Sequence, residues 1–411
     1  MAKKLTSVLG IDIGSQNIKV AEVRAQGKDA VVSALGIIAT PEGAVDHTGI
    51  FNSDAVGVAL KQVIAECGAS APAAVVSIAG QASVLVRTLE VPRMNPAELK
   101  EHMQWEINRN IPFAESTVVS DYKPLGDEDP NSTNMDVVMA ISPQSAVDTV
   151  IASVKKAGKT TAAIDVEPLS IARSMVQSYD DVYHNQTVCV VEMGHKTTSI
   201  NIYKNGKLLM PRQIPVGGEM FTKAVSDALQ ISNSESEDVK VREGEIPESA
   251  ADAMAGVPDA FGGATQSFTP YNPFSDEPAP VANPFPENLP DAPEPGAPAP
   301  TSMPVAASSG NVQLYNAFAP VLEEFVAEVR RSIDYYRSRG GDIDRIVLAG
   351  GAAKLKGLQS FLKKSLGLEC DVYDPLRRLN VTAKKLAPGM LEEHRQDFVV
   401  AIGNGLHILF D

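Results

Sequence analysis

One arrangement occurs twice in this chain and limits its fold more than any other feature. Val8-Leu-Gly-Ile-Asp12-Ile-Gly14-Ser15-Gln16-Asn-Ile-Lys19-Val20 reads as strand, tight turn, strand. Val188-Cys-Val-Val-Glu192-Met-Gly194-His-Lys-Thr197-Thr198-Ser-Ile-Asn-Ile202 repeats it, acid over acid and glycine over glycine. The next hairpin turn recurs as well, Gln26-Gly27-Lys28 against Asn205-Gly206-Lys207. In the first copy a third strand follows from Val31 to Ile38. After it come a helix from Asp54 to Gly68, with Val58, Val63 and Ile64 on its apolar face, and the strand Ala74 to Ile78. A three-stranded meander with a crossover helix, begun twice, predicts an α/β protein of two duplicated lobes.

The charge separates the repeat from what lies outside it. The 411 residues hold 36 Lys and Arg against 51 Asp and Glu, a net charge of −15. That balance excludes a nucleic-acid binder acting by global phosphate neutralisation. Residues 243–310 carry ten acids and no base, and 14 prolines fall between Pro247 and Pro304. Such a stretch cannot bury enough apolar surface to offset its ordering entropy, so a disordered acidic, proline-rich insert is expected there. Its two Asn-Pro-Phe tripeptides, Asn272 to Phe274 and Asn283 to Phe285, suit either a docking motif or turns in a linker. The other 343 residues carry only −5, and their length suits one two-lobed fold with an extra subdomain. Cys67, Cys189 and Cys370 are too far apart for a metal motif and fit a reducing, cytoplasmic setting. No run of 18 apolar residues occurs, so no direct membrane span is expected.

A turn with an acid, a glycine and then a hydroxyl presents backbone N–H groups, an O–H and a carboxylate at one point. The first two suit phosphate oxygens, and the carboxylate suits water around a magnesium ion. Facing copies would grip a polyphosphate from both sides, with Lys19 supplying a cation. Each turn alone also reads as an ordinary hairpin. Pro215-Val-Gly217-Gly218 opens an amphipathic helix whose first N–H groups can face an anion. Leu348-Ala-Gly350-Gly351 joins a buried strand to another helix. Steric need alone accounts equally well for a glycine pair in such a turn.

Together these segments resemble the superfamily of actin, DnaK-type chaperones and sugar kinases. More narrowly they are similar to the PilM family of type IV pilus assembly, which is related to FtsA. Gly10 to Val20, Trp105-Glu-Ile-Asn-Arg-Asn-Ile111-Pro-Phe113, Ala163 to Arg173 and Arg212 to Glu219 carry the likeness. It runs over nearly the whole chain except the acidic insert. The resemblance implies a duplicated actin-like, ribonuclease H-like fold with ATP and Mg2+ as ligands. Asp12, Glu167 and Glu192 are then the catalytic candidates, with Asp12 and Glu192 reaching the metal through water. Gly14, Ser15, Gln16 and Lys19 form the first phosphate loop, and Gly194, Thr197 and Thr198 the second. Gly217, Gly218, Gly350 and Gly351 complete the nucleotide site, with Glu237 and Lys240 against ribose and adenine. Glu167 would arrange magnesium and an attacking water, or cap the helix that it starts. The Glu237–Lys240 pair reads equally as an exposed helix pair. Glu192 stands where the family usually has Asp, and its extra methylene bears on hydrolysis more than on nucleotide binding.

The resemblance also implies a division of the chain. Residues 1–88 with 158–187 would form the first actin-like lobe, 89–157 an inserted partner-binding subdomain, and 188–411 the second lobe with a smaller subdomain near 219–337. In that family a cleft between the inserted subdomain and the core receives the N-terminal tail of PilN, an inner-membrane protein. Trp105, Ile111 and Phe113 are the candidates to line it, although Trp105 also reads as a core residue. The expected function is a cytoplasmic ATP-binding adaptor of pilus assembly, or of related type II secretion. A PilN-like partner would recruit it to the inner membrane, where it would meet other assembly components; ATP hydrolysis would be weak or absent, and a homo-oligomer is compatible. Two other classes share the fold. An FtsA-like division or filament protein is expected to carry a C-terminal amphipathic helix, for which the sequence after Ile408 leaves no room. A sugar or acid kinase needs a base beside a sugar pocket, and none stands out.

Overall fold

In a computed structural model, which describes residues 5–27, 29–113, 117–126, 132–248, 250 and 310–410, the expected meander forms twice. β1 (Ser7–Ile13), β2 (Asn17–Gln26) and β3 (Asp29–Ala39) pair antiparallel, and α1 (Ser53–Cys67) crosses to β4 (Ala73–Ile78), which lies parallel to β1. β9 (Thr187–Met193), β10 (Thr198–Lys204) and β11 (Lys207–Ile214) repeat the meander, and β12 (Arg345–Ala349) lies parallel to β9. With β8 (Thr160–Val166), β13 (Glu369–Val372) and β14 (Asn380–Val381) added, the sheet orders are β14-β3-β2-β1-β4-β8 and β11-β10-β9-β12-β13. Apart from β14 the two orders are the same, as a duplicated lobe requires.

The helix phases follow from local rules with one correction. The Asn52 side chain accepts the Ala55 N–H to start α1, and Gly68 ends it in the left-handed region. Val56, Leu60, Val63, Ile64 and Cys67 form the buried stripe. Val58, expected on that face, is 56% exposed, because two residues from Val56 a helix has turned past its buried side. Each large aliphatic side chain in the stripe contributes roughly 1.5–3 kcal/mol of burial.

A third sheet, β5 (Leu85–Pro92), β7 (Asn134–Pro143) and β6 (Val118–Pro124), has β7 in the middle. α2 (Pro96–Arg109) covers one face, where Leu99, Met103 and Ile107 meet Val137, Met139 and Ile141. Ala140 looks the other way, into the core that α3 (Gln144–Lys156) shares with the first sheet. This is the period-2 alternation of a strand buried on both faces.

α4 (Glu167–Tyr183) runs from β8 to β9 and so joins the two large sheets. The second sheet is followed in sequence by α5 (Gly218–Leu229) and α6 (Asn233–Glu243), and later by α7 (Gly310–Ser338) and α8 (Leu358–Leu366). Two expected boundaries need correction. The insert was expected from 243, but Ile246 and Ala250 are buried with Phe221, Phe318 and Leu358, and Glu245 bridges to Lys356; residues 251–309, with both Asn-Pro-Phe tripeptides, lie outside the described residues. The C-terminal part, expected within the second lobe, returns to the first sheet. There β14 pairs with β3, while Leu376, Leu379, Met390, Phe398 and Ile402 pack against Val23, Val32 and Leu35. That segment includes α9 (Met390–His394), α10 (Val399–Gly405) and α11 (His407–Phe410). α10 sits so close to its neighbours that a Cβ on Gly10 would stand 2.0 Å from the Ala401 carbonyl oxygen. Among the described residues no helix is long and apolar enough to cross a membrane.

Candidate functional site

The two acid–glycine turns open onto one cleft of about 1060 Å³, lined by residues from both large sheets. Each glycine N–H closes its turn, Gly14 to the Asn17 carbonyl at 3.1 Å and Gly194 to that of Thr197 at 3.0 Å. A Cβ on Gly14 would lie 2.8 Å from the Asn17 oxygen and 3.1 Å from Lys19 Nζ, so the reversal needs glycine. Asp12 faces Lys19 across β1 and β2, and Nζ donates to Oδ2 at 2.8 Å. Glu192 occupies the matching place in β9. The room for its extra methylene is found at Gly350, whose φ is +86° and where a Cβ would stand 2.7 Å from Glu192 Oε1. The positive φ and the Met193 carbonyl oxygen, 2.6 Å from that Cβ, require glycine there as well.

α5 docks on the second turn: Gly218 N–H donates to the Gly194 carbonyl at 3.0 Å and Glu219 N–H to that of His195 at 2.8 Å. Its first N–H groups are thus already committed to the loop. Gly217, where a Cβ would be 2.4 Å from the His195 oxygen, serves that docking. Beyond it, Lys240 Nζ donates to Glu237 Oε2 at 2.7 Å, to Thr222 Oγ1 at 2.8 Å and to the Gly218 carbonyl at 3.2 Å. With side chains 11% and 27% exposed, Lys240 and Glu237 form a wall of the cleft and not a solvated helix pair. Desolvation outweighs Glu237 and pushes the Lys240 ammonium below its ordinary range.

Three carboxyl groups, Asp12, Glu167 and Glu192, gather around Lys19. Desolvation first, then Asp12, raises Glu167 to about 7, against a hydrogen bond from Ser199 and the attraction of Lys19. Desolvation and then Glu167 push Glu192 well above the carboxylate range. For Lys19, desolvation is outweighed by Asp12, and its ammonium is held above its usual range. Glu167 Oε1 is buried with no hydrogen-bond partner among the described residues. Among the described residues no three acids, histidines or cysteines are grouped to ligate a metal ion directly, so a divalent cation such as magnesium would be held here through its water shell, its charge offsetting the crowding of the acids.

The cleft brings together Asp12, Gly14, Ser15, Gln16, Lys19, Glu167, Glu192, Gly194, Thr197, Gly218, Glu237, Lys240 and Gly351. Thr198 is not among them: it is fully buried, and its Oγ1 donates to the Val216 carbonyl at 2.6 Å. Thr197, the last residue of the turn, reaches the cleft, and Thr198, the first of β10, is turned into the core. Sequence reasoning missed Lys196, Lys354, His394 and Asp397, which also line the cleft. Lys196 sits inside the second turn and was legible there; Asp397 lies in no motif and meets Lys354 only through the fold. Trp105 is 55% exposed on α2 with the Arg109 guanidinium 4.5 Å over its ring, so it is not a core residue. Ile111 and Phe113 pack on the α2 side of the third sheet. None of the three lines the groove of about 640 Å³ between that sheet and the first, which is bounded by β8, Ile78, Val119, Ala140, Val147 and Ile151.

A meander and crossover made twice, with both turns facing a shared cleft, defines the two-lobed actin-like ATPase fold. The family model for type IV pilus assembly protein PilM matches residues 10–255, and the chain belongs to that family. The model for cell division protein FtsA matches residues 189–400. FtsA of Neisseria meningitidis serogroup B is 24% identical over 254 residues, 57% of this chain and 60% of that protein. FtsA of Bacillus subtilis is 38% identical over 87 residues, 21% of this chain and 19% of that one. The chain therefore spans less than two thirds of the curated relatives it matches. Among solved structures, a chain of a PilM-PilN type IV pilus biogenesis complex is 22% identical, with 99% of both chains covered and a TM-score of 0.75. The ethanolamine utilization protein EutJ of Carboxydothermus hydrogenoformans is 13% identical, with 98% of this chain and 91% of that one covered and a TM-score of 0.52. At these identities the likeness is one of fold.

Proposed function

We propose that this chain is a nucleotide-responsive adaptor of type IV pilus assembly. It binds ATP with magnesium in the cleft between the two large sheets and holds the N-terminal tail of a PilN-like inner-membrane protein in the groove beside β8. The observation that carries the nucleotide reading is the convergence of both turns, Lys19 and three acids on one cleft. In this reading Lys19 and the N–H groups and hydroxyls of the two loops hold phosphate oxygens. Asp12, Glu167 and Glu192 hold a hydrated magnesium ion, which neutralises the phosphates. Glu237 and Lys240 face the nucleoside.

The partner reading draws on the PilM-PilN complex to which the fold is similar and on the groove itself. Among the described residues β8 is an edge strand that pairs only with β4, which leaves its outer N–H and C=O groups to an extended segment. Val119 and Ile151, each 40% exposed, supply apolar wall. Nucleotide response has a physical route. Ser145, Ala146, Thr149 and Val150 of α3 line the cleft, while Val147, Ile151 and Lys155 of the same helix line the groove. β8 borders the groove and runs directly into Glu167. A shift of α3 or β8 alters both cavities, so occupancy of one biases the other reciprocally. The adaptor would work on the cytoplasmic side, recruited by its partner.

Calorimetric titration of the full chain tests both halves. Lys19→Ala should weaken Mg-ATP binding at least about tenfold, and equal affinity would remove the nucleotide reading. Val119→Asp and Ile151→Asp should abolish binding of the tail peptide with ATP affinity unchanged; unaltered peptide binding would remove the groove.

A further inference from the structure

The 3-10 turn Arg395–Phe398 places Asp397 at the wall of the cleft. Phe398, fully buried against the first sheet, anchors the turn, and the Asp397 side chain is only 4% exposed. Its Oδ2 accepts hydrogen bonds from Lys354 Nζ at 3.1 Å and from His394 Nδ1 at 2.7 Å. Lys354 also donates to the Glu393 carbonyl at 2.8 Å. Oδ1 is buried and has no partner among the described residues. It lies beside Gly351, where a Cβ would stand 3.5 Å from it, and both residues line the cleft. A buried carboxylate oxygen without a donor is destabilising, and native structures retain one where a ligand or ordered water completes it.

The missing donor can be narrowed by chemistry. Against the desolvation of burial, the His394 hydrogen bond and Lys354 hold Asp397 below the usual carboxylate range. It is therefore an acceptor only. A phosphate oxygen brings no proton and the same sign of charge, whereas the sugar of a nucleotide brings O–H donors. We infer that Asp397 is a specificity residue of this cleft, its Oδ1 accepting a hydrogen bond from a ribose hydroxyl of the bound nucleotide. This rests on the nucleotide reading above and extends it to a choice between ribose and deoxyribose ligands. Lys354 follows β12 of the second sheet, while Asp397 belongs to the segment packed on the first. One carboxylate thus joins ligand and both sides of the cleft.

Titration of the full chain with Mg-ATP, Mg-2′-deoxy-ATP, Mg-3′-deoxy-ATP and magnesium tripolyphosphate compares the wild type with Asp397→Ala and Gly351→Ala. The second variant covers Oδ1 with a methyl group while leaving Lys354 and His394 in place. The wild type should bind at least one deoxy analogue roughly tenfold to a hundredfold more weakly than ATP, the value of a hydrogen bond to a charged group. Both variants should reduce that ratio below about threefold, and tripolyphosphate should bind Asp397→Ala no more weakly than the wild type. A wild-type ratio near one, or a ratio that survives both substitutions, overturns the inference. So does an equal loss for all four ligands in Asp397→Ala that disappears when magnesium is omitted, since Oδ1 would then hold a cation-bound water. Failure of ATP to bind the wild type at all would remove the nucleotide reading itself, and this inference with it.

Discussion

Glu167 opens α4 with one carboxylate oxygen buried and without a partner among the described residues, and burial above all raises it to about 7. The folded chain therefore keeps this proton to a higher pH than the unfolded chain, where a glutamate titrates near 4.5. Below that pH both states are protonated and Glu167 costs nothing; as pH rises from there to about 7 the ligand-free protein loses stability, and above about 7 the loss is complete. Glu167→Gln should raise the melting temperature by a few degrees at pH 8 and leave it unchanged at pH 4. A divalent cation needs the ionised form, so magnesium affinity of the wild type should rise between pH 6 and 8 and that of Glu167→Gln should not. The threonine pair in the second turn gives a contrasting test. Thr198→Val removes a fully buried 2.6 Å bond to the Val216 carbonyl and should cost about 1–3 kcal/mol in denaturant unfolding; Thr197→Val should leave stability unchanged. At this scale the acid–glycine turns were legible because hairpin pairing is local. Which threonine faces the cleft was not, because that depends on where the turn ends and β10 begins.

At the scale of elements, α10 is held by near contact of backbones. A Cβ on Gly403 would stand 2.0 Å from the Ser170 carbonyl oxygen of α4, and Asn404 Nδ2 donates to the Ile11 carbonyl of β1 at 2.8 Å. Gly403→Ala should destabilise by about 1–3 kcal/mol through overpacking, measured by urea unfolding, and weaken nucleotide binding because Ile11 precedes Asp12. Strands and crossover helices could be read from period and turn residues. The return of the C-terminal segment could not, since β14 contributes two residues to the first sheet and is fixed by contacts made across most of the chain. Val58 was misplaced for a simpler reason: an alanine-rich helix offers two apolar phases, and only packing chooses between them. Val58→Lys should be neutral, whereas Val56→Lys, in the buried stripe, should unfold α1, as circular dichroism would show.

For the whole molecule, two sheets of one strand order set their turns against a common cleft, and α3 gives that cleft and the β8 groove a shared wall. The repeat in the sequence foretold the first relation, and the ligand chemistry proposed for the cleft starts from the family resemblance. Neither foretold the second, because α3 carries no motif and matters by position alone. Trp105, one of three candidates to line a partner cleft, stands on the far side of the third sheet from the groove. The most direct test is the affinity of the full chain for Mg-ATP, measured with and without a saturating PilN-like tail peptide. A shared wall predicts a change of roughly fivefold or more, matched by the same factor in peptide affinity when ATP is saturating. Both ligands binding, each with an affinity indifferent to the other, would contradict it.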